Sequence, residues 1–202
     1  MTTFRHNNIE FVMPTVFKAT MREWAEDLQN GTIHFTHIQK FIDDQDAQRG
    51  DSNEGSQAVI RNGVRCNVEY IVPIYVWCCT LETRPCRVIE TWPDKNCVIQ
   101  ILDTIEFANR IAVAVGNQPQ KLSLLKVGPV VYTKTVGGHE RNDWADGIFQ
   151  KDGRYDGQKE FRFALSGMTG DQDKKDDIIL TLGPCHDIVR IALVINPEPK
   201  YP

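Results

Sequence analysis

The amino-acid sequence predicts a single α+β domain over residues 1–202, with a mixed, mainly antiparallel β-sheet and two or more flanking helices. Three observations favour this fold class. The chain has 202 residues, of which 41% are hydrophobic, so one core can form without a disulfide framework. Apolar residues alternate with polar ones over most of the chain, and such segments dominate after residue 60. The last four of them are joined by connections too short for crossover helices, which favours antiparallel pairing.

The opening strand and helix have clear local signals. Residues 15–19 form a short extended segment, and Thr20 with Glu23 has the spacing of a capping box that begins a helix. Apolar residues at helical spacing follow, and Gly31 stands where a helix end favours positive φ. Residues 32–38 then alternate with period two, which predicts a strand.

A polar stretch separates this region from the next strands. Residues 43–56 are rich in Asp, Gly and Asn and predict a long polar surface loop. Residues 68–80 are apolar on both faces, which is typical of a central strand, and residues 97–102 predict another strand. Two early acidic residues and a closing glycine predict a helix over residues 103–116.

The last part of the chain is predicted to consist mostly of strands. Residues 121–135 predict a strand that is broken or bulged at Gly128-Pro129, and residues 137–157 predict a loop-rich segment. Three short strands are predicted to follow, over residues 160–165, 178–182 and 188–195.

Composition and motifs exclude several classes of function. The formal net charge is -4, and no stripe of Lys and Arg marks a general nucleic-acid surface. The longest apolar runs, 71–79 and 188–195, are far shorter than the roughly 20 residues of a spanning helix, so we expect no membrane partner. No export signal is visible, so we expect a cytoplasmic protein whose six cysteines are mostly reduced core thiols.

The enzyme classes that common motifs define, and a metal site, are also not expected. The sequence contains no phosphate-binding loop, no dinucleotide fingerprint and no C-x-x-C pair. His34 and His37 are three residues apart on a predicted strand, which points them to opposite faces. We therefore predict no metal site.

The most distinctive segment runs from Phe149 to Phe163 and contains Gln158-Lys159-Glu160-Phe161-Arg162. A Gln two residues before a Glu that opens an apolar strand resembles the Q-x-E signature of the mono-ADP-ribosyltransferase superfamily. The same segment resembles the C-terminal motif of a family of uncharacterised bacterial and phage proteins. In that motif a lysine, an aromatic residue and an acid-x-Glu-aromatic-Arg run recur together.

Other segments extend this resemblance over most of the chain in order. Residues 16–35 resemble the strand, helix, glycine and strand that open these families and the DNA-targeting ADP-ribosyltransferase toxins. Residues 75–80 fall where the superfamily has a strand ending in hydroxyl residues, and residues 92–101 resemble the tryptophan and following strand of the uncharacterised family. The resemblance implies an ADP-ribosyltransferase-like split β-sheet, with NAD or another nucleotide as ligand.

The resemblance also implies a set of site residues. Glu160 would be catalytic, because a carboxylate beside the ribose stabilises the positive charge that develops when the glycosidic bond of NAD breaks. Gln158 would orient the acceptor, a protein or a nucleic acid. Residues implied to hold NAD are Lys18, where the superfamily usually has His or Arg, together with His34, Thr80 and Arg162.

Two alternative interpretations stay open. Polar residues alternate with Phe161 and Phe163 as on any half-buried strand, so an ordinary structural strand explains the same spacing. Arg162 would then pair with Glu160 or with an acid of residues 43–56. In that case the protein would be a non-enzymatic factor, such as one of phage or mobile-element origin, which binds or inhibits a host or defence protein through its acidic loop, residues 43–56, and exposed aromatic residues.

Overall fold

The computed structural model describes residues 2–6, 9–44, 57–61, 64–68, 72–118, 122–133, 144–167 and 176–195. These residues form an α+β fold in which the strand pairs are mainly antiparallel, and this part of the predicted fold class is confirmed. The chain divides into two compact units. The first contains Met1–Ile33, Cys79–Val113 and Thr181–Pro202, and the second contains His34–Cys78 and Ala114–Leu180.

The elements agree with most of the predicted boundaries. In chain order the described strands are β1 (Thr2–His6), β2 (Ile9–Met13), β3 (Val16–Thr20), β4 (Thr32–His37), β5 (Gln57–Arg61), β6 (Val64–Val68), β7 (Ile74–Thr80), β8 (Cys97–Ile101), β9 (Ser123–Pro129), β10 (Val131–Thr133), β11 (Gln150–Asp152), β12 (Glu160–Ser166), β13 (Ile178–Thr181) and β14 (Val189–Val194). The described α-helices are α1 (Arg22–Gln29), α2 (Gln39–Asp43), α3 (Pro85–Thr91) and α4 (Thr104–Gly116), and 3₁₀ turns cover Trp144–Phe149 and Gly153–Gln158. Six predicted strands, β3, β4, β8, β12, β13 and β14, are confirmed to within one residue at each end.

The first unit is built on β3, β8 and β14. Strand β8 lies between the other two and pairs antiparallel with both, so that Ile99 is opposite Lys18 of β3 and Ile191 of β14. Helix α3 packs on one face of these strands, where the buried side chains are Phe17, Val88, Ile89 and Val98. Because side chains alternate along a strand, the buried residues Cys97, Ile99 and Ile101 of β8 point to the other face.

The predicted capping box of α1 is wrong. Thr20 is the last residue of β3, where it is buried, and Met21 occupies the N-cap position without a side-chain hydrogen bond. The N–H of Arg22 instead donates to Oδ1 of Asn96 at 2.8 Å. A side chain from a distant segment therefore takes the place that the local pattern assigned to Thr20 and Glu23.

The ends of the other helices follow local rules more closely. The carboxylate of Asp103 accepts the N–H groups of Ile105 at 3.1 Å and Glu106 at 3.0 Å, which confirms the predicted start of α4. No element was predicted over residues 85–91, where the structure has α3. Pro85 begins this helix with a fixed φ, and the helix has only seven residues, too few for a visible period.

The described part of the second unit contains three sets of paired strands, one of which is the antiparallel pair of β5 and β6. Strand β12 pairs antiparallel with β9 and also pairs with β7, and β4 pairs antiparallel with β7 through Thr36 and Val76. Strands β10 and β11 pair in parallel, with Tyr132 opposite Lys151. A core cluster beneath these elements contains Ile38, Ile74, Val76, Ile148, Phe149 and Ala164.

Three predicted boundaries need correction. The strand predicted over residues 68–80 is not continuous, because β6 ends at Val68 and β7 begins only after Pro73, which has no N–H to donate. The segment predicted as loop over residues 137–157 contains the two 3₁₀ turns and β11 in its described part. Helix α2 ends at Asp43, so only the first residue of the predicted polar loop is helical, and residues 45–56 lie outside the described residues.

Several cysteines are buried, as the sequence predicts for core thiols. Cys79, Cys97 and Cys185 are buried thiols as predicted, whereas Cys86 is exposed on α3. Burial raises the pKa of Cys97 and of Cys185.

Within the part of the chain that the structure describes, no helix combines the length and the apolar character needed to cross a bilayer.

Gly31 lies at the tightest backbone approach in the first unit. It has the predicted positive φ, at 96°, and its carbonyl accepts the N–H of Leu182 at 2.7 Å. A Cβ at this position would lie 2.1 Å from the carbonyl oxygen of Gly183. Positive φ and lack of space therefore both require glycine.

We predict that Gly31→Ala lowers the free energy of unfolding by more than about 2 kcal/mol, because it combines backbone strain with a steric clash. Gly116→Ala is the control, since a Cβ there meets no atom within 4 Å. Urea unfolding of both variants measures the difference. Equal midpoints for the two variants would contradict the close approach.

Candidate functional site

The candidate site is a cluster of buried polar side chains at the start of β12, within the second unit. Glu160 and Arg162 belong to β12, Lys151 belongs to β11, and Tyr155 and Gln158 belong to the 3₁₀ turn between the two strands. We call these five residues the Glu160 cluster. Arg162 is 0% exposed, Lys151 6% and Glu160 7%, so three charged groups share a site that holds little water.

A bidentate ion pair joins Glu160 to Arg162. Nε of Arg162 donates to Oε1 of Glu160 at 2.6 Å, and a terminal nitrogen donates to Oε2 at 3.0 Å. The other terminal nitrogen donates to the backbone carbonyl of Ile148. Residues two apart on a strand lie on the same face, so the strand itself places these two side chains together.

Lys151 is the second cation on the carboxylate. Its Nζ donates to Oε2 of Glu160 at 3.3 Å and to Oε1 of Gln158 at 3.1 Å. The same Nζ lies 4.8 Å from the centre of the Tyr155 ring, and the guanidinium of Arg154 lies 4.8 Å from that ring centre as well. Charge, hydrogen bonds and a cation–π contact thus hold one ammonium group.

Local backbone geometry brings these groups together. The carboxylate of Asp152 accepts the N–H of Arg154 at 2.9 Å and caps the 3₁₀ turn. The turn ends at Lys159, whose φ of 46° lies in the left-handed region and redirects the chain into β12. Glu160 then donates its N–H to the hydroxyl of Tyr132 at 2.8 Å.

The electrostatics keep Glu160 ionised. Burial alone would raise its pKa, but the charge of Arg162, the charge of Lys151 and the hydrogen bond from Arg162 together lower the pKa below the usual value. Burial raises the pKa of Tyr132, so its hydroxyl stays protonated at neutral pH. The site therefore presents a carboxylate that is ionised at neutral pH although it is buried.

The structure brings three of the predicted site residues together: Gln158, Glu160 and Arg162. Gln158 ends a 3₁₀ turn and does not lie on the strand that carries Glu160. It reaches the carboxylate only through Lys151. Of the two partners considered for Arg162, the structure shows Glu160, whereas residues 45–56 of the polar loop lie outside the described residues.

The other predicted residues lie elsewhere. Lys18 is half-buried on β3, and Thr80 is buried at the end of β7, where its hydroxyl accepts the N–H of Glu82 at 3.1 Å; both belong to the first unit. His34 is exposed on β4, whereas His37 is buried, which confirms that they point to opposite faces. Their roles in holding NAD stay predictions.

Three residues that contribute to the site, Lys151, Tyr155 and Tyr132, had no role assigned from the sequence. Lys151 and Tyr155 lie in the segment Phe149 to Phe163, whose expected resemblance includes a lysine and an aromatic residue, and this was the available signal. Tyr132 lies 28 residues before Glu160 on another strand, and no local pattern marks it. Among the described residues, no group of three or more His, Cys, Asp or Glu side chains is placed to hold a metal ion.

Comparison with protein-family models, with curated proteins and with solved structures finds no match to this chain. The interpretation of the Glu160 cluster therefore depends on its geometry.

We predict that Arg162→Met lowers the free energy of unfolding by about 3–5 kcal/mol, because it leaves the buried Glu160 without its main counter-charge. Arg110→Met is the matched control. Arg110 also forms a bidentate pair, with Asp187, but that carboxylate is 60% exposed, and exposed pairs contribute about 1 kcal/mol or less. Chemical denaturation measures the free energy of unfolding of both variants. Losses of similar size would contradict the larger destabilisation expected for Arg162→Met.

The lowered pKa of Glu160 predicts a specific acid response. The pKa of Glu160 is lower in the folded chain than in the unfolded chain, where it is about 4.3. The ionised carboxylate therefore stabilises the fold at pH values above about 4.3, and this stabilisation is lost as the pH falls towards the folded pKa. The stability difference between wild type and Glu160→Gln should therefore shrink below about pH 5. Urea unfolding from pH 7 to pH 3 measures it, and parallel curves would contradict the shift.

Proposed function

We propose that this chain is an ADP-ribosyltransferase-like protein that binds NAD and transfers ADP-ribose to a macromolecule or hydrolyses NAD. One observation carries the proposal. Lys151 and Arg162 of the segment both contact the carboxylate of Glu160, and Gln158 and Tyr155 in turn contact the ammonium of Lys151. Spacing in the sequence does not by itself require such convergence.

The chemistry of this reaction makes use of an ionised carboxylate. When the bond between the ribose carbon and nicotinamide breaks, nicotinamide leaves with the bonding electrons and the ribose becomes cationic. The negative charge of Glu160 stabilises that cation. The acceptor, a macromolecular nucleophile or water, then bonds to the ribose carbon and releases a proton. Gln158 would orient that acceptor through its amide.

The place of the reaction and the origin of the protein are part of the proposal. We expect the reaction in the cytoplasm, with a protein or a nucleic acid as acceptor. The resemblance includes phage proteins, which supports an origin in a phage or another mobile element.

We predict that Glu160→Gln lowers the rate of nicotinamide release by roughly a hundredfold or more, about 3 kcal/mol of transition-state stabilisation. Affinity for NAD should change much less, since an amide of the same shape keeps the ground-state contacts. Glu106→Gln is the control, because Glu106 pairs with Arg110 in the first unit. NAD affinity, nicotinamide release and thermal midpoint are measured on all three proteins, and a wild type that neither binds nor consumes NAD overturns the proposal.

A second candidate function is a non-enzymatic binding protein. The observation that favours it is Trp24, which is 55% exposed on α1 beside the exposed acids Glu23, Glu26 and Asp27. Large exposed aromatic residues are frequent energetic centres of protein interfaces. This candidate forecasts no NAD turnover in the wild type, and an effect of Glu160→Gln on stability alone.

A further inference from the structure

We propose that Lys151 is a positioning residue that closes the Glu160 carboxylate in the resting site and releases it to a ribose hydroxyl of a bound dinucleotide. This inference rests on the function proposed above and adds a form of regulation to the same site. It follows from the different contacts of the two carboxylate oxygens and from the other partners of Lys151.

The two oxygens of Glu160 are not equivalent. Oε1 receives the 2.6 Å hydrogen bond from Nε of Arg162. Oε2 is shared between Arg162 at 3.0 Å and Lys151 at 3.3 Å, and the latter is the longest charged contact in the cluster. Arg162 is fully buried and also donates to the carbonyl of Ile148, so it cannot leave without losing several contacts. Oε2 is therefore the exchangeable position, and Lys151 is its exchangeable partner.

Lys151 has other contacts that remain when it leaves Oε2. Its Nζ is 3.1 Å from the amide oxygen of Gln158 and 4.8 Å from the centre of the Tyr155 ring. Both partners belong to the 3₁₀ turn, so a small displacement of the ammonium towards that turn keeps them. Glu160 meanwhile keeps the bidentate pair with Arg162 and stays ionised.

The displacement favours the reaction. Each cation on Oε2, Arg162 at 3.0 Å and Lys151 at 3.3 Å, opposes the positive charge that develops on the ribose and reduces the stabilisation that the carboxylate provides. A neutral ribose hydroxyl that takes the place of Lys151 on Oε2 removes one of these two opposing charges. Lys151 thus controls access to the carboxylate, and Arg162 maintains its charge.

The first test is Lys151→Met, which keeps the length of the side chain and removes its charge. If the resting site is closed about nine-tenths of the time, the variant should lower the KM for NAD about tenfold, or the Kd where turnover is slow. The gain should appear in KM and not in kcat, because closure precedes the chemical step. A merely structural lysine would give the opposite pattern, a raised KM with a lowered thermal midpoint.

Lys95→Met is the matched control. Lys95 also combines an ion pair, with Asp94 at 2.8 Å, and an aromatic neighbour, Trp24 at 6.0 Å from its Nζ, but it lies in the first unit. Its replacement should leave KM and kcat at their wild-type values.

A second variant reverses the sign of the effect. Gln158→Met removes the alternative partner of Lys151, so the ammonium should stay on Oε2 and the KM for NAD should rise. In the double variant with Lys151→Met this rise should disappear. An unchanged or raised KM in Lys151→Met, with NAD turnover in the wild type, overturns the inference and leaves the proposed function standing. A wild type without NAD binding or turnover overturns both.

Discussion

The bidentate ion pair between Glu160 and Arg162 is the constraint on which the arrangement of the candidate site depends. Arg162 is fully buried, so its charge needs a counter-charge and its N–H groups need acceptors. Glu160 supplies the charge and two acceptors, and the carbonyl of Ile148 supplies a third. Because Ile148 belongs to the 3₁₀ turn before β11, the pair ties that turn to β12. A buried ion pair is a weak source of net stability, so its main effect is to fix which segments meet.

Strand alternation explains why part of this cluster was predictable from the sequence. Glu160 and Arg162 are two residues apart on one strand, so a period of two places them on one face, and their contact is direct. The same reasoning fails for Gln158, because the left-handed conformation of Lys159 turns the chain between it and Glu160. The phenol that accepts the N–H of Glu160 comes from β10, and the pairing of β10 with β11 is a long-range choice that no local pattern encodes.

The fold shows the same contrast between local and long-range interactions. The positive φ of Gly31 is predictable because a helix end favours it, but the nearby carbonyl of Gly183 is more than 150 residues away and is visible only in the structure. The capping box predicted at Thr20 is wrong because a long-range contact replaces the local one. Asn96, 74 residues from Arg22, accepts a first-turn amide of the helix, a role that the local pattern assigned to the side chain of Thr20. Periodic patterns thus specify elements, and tertiary contacts decide how the elements end.

The burial of Glu160 creates a conflict that the two cations resolve in different ways. A carboxylate removed from water tends to take up a proton, and a neutral acid stabilises a ribosyl cation poorly. Nearby cations keep it ionised, but a cation on the reacting oxygen also counteracts its charge. Arg162 satisfies the first requirement, because its planar fork is fully buried and donates to both oxygens. Lys151, whose single ammonium group has several partners, is the cation suited to move.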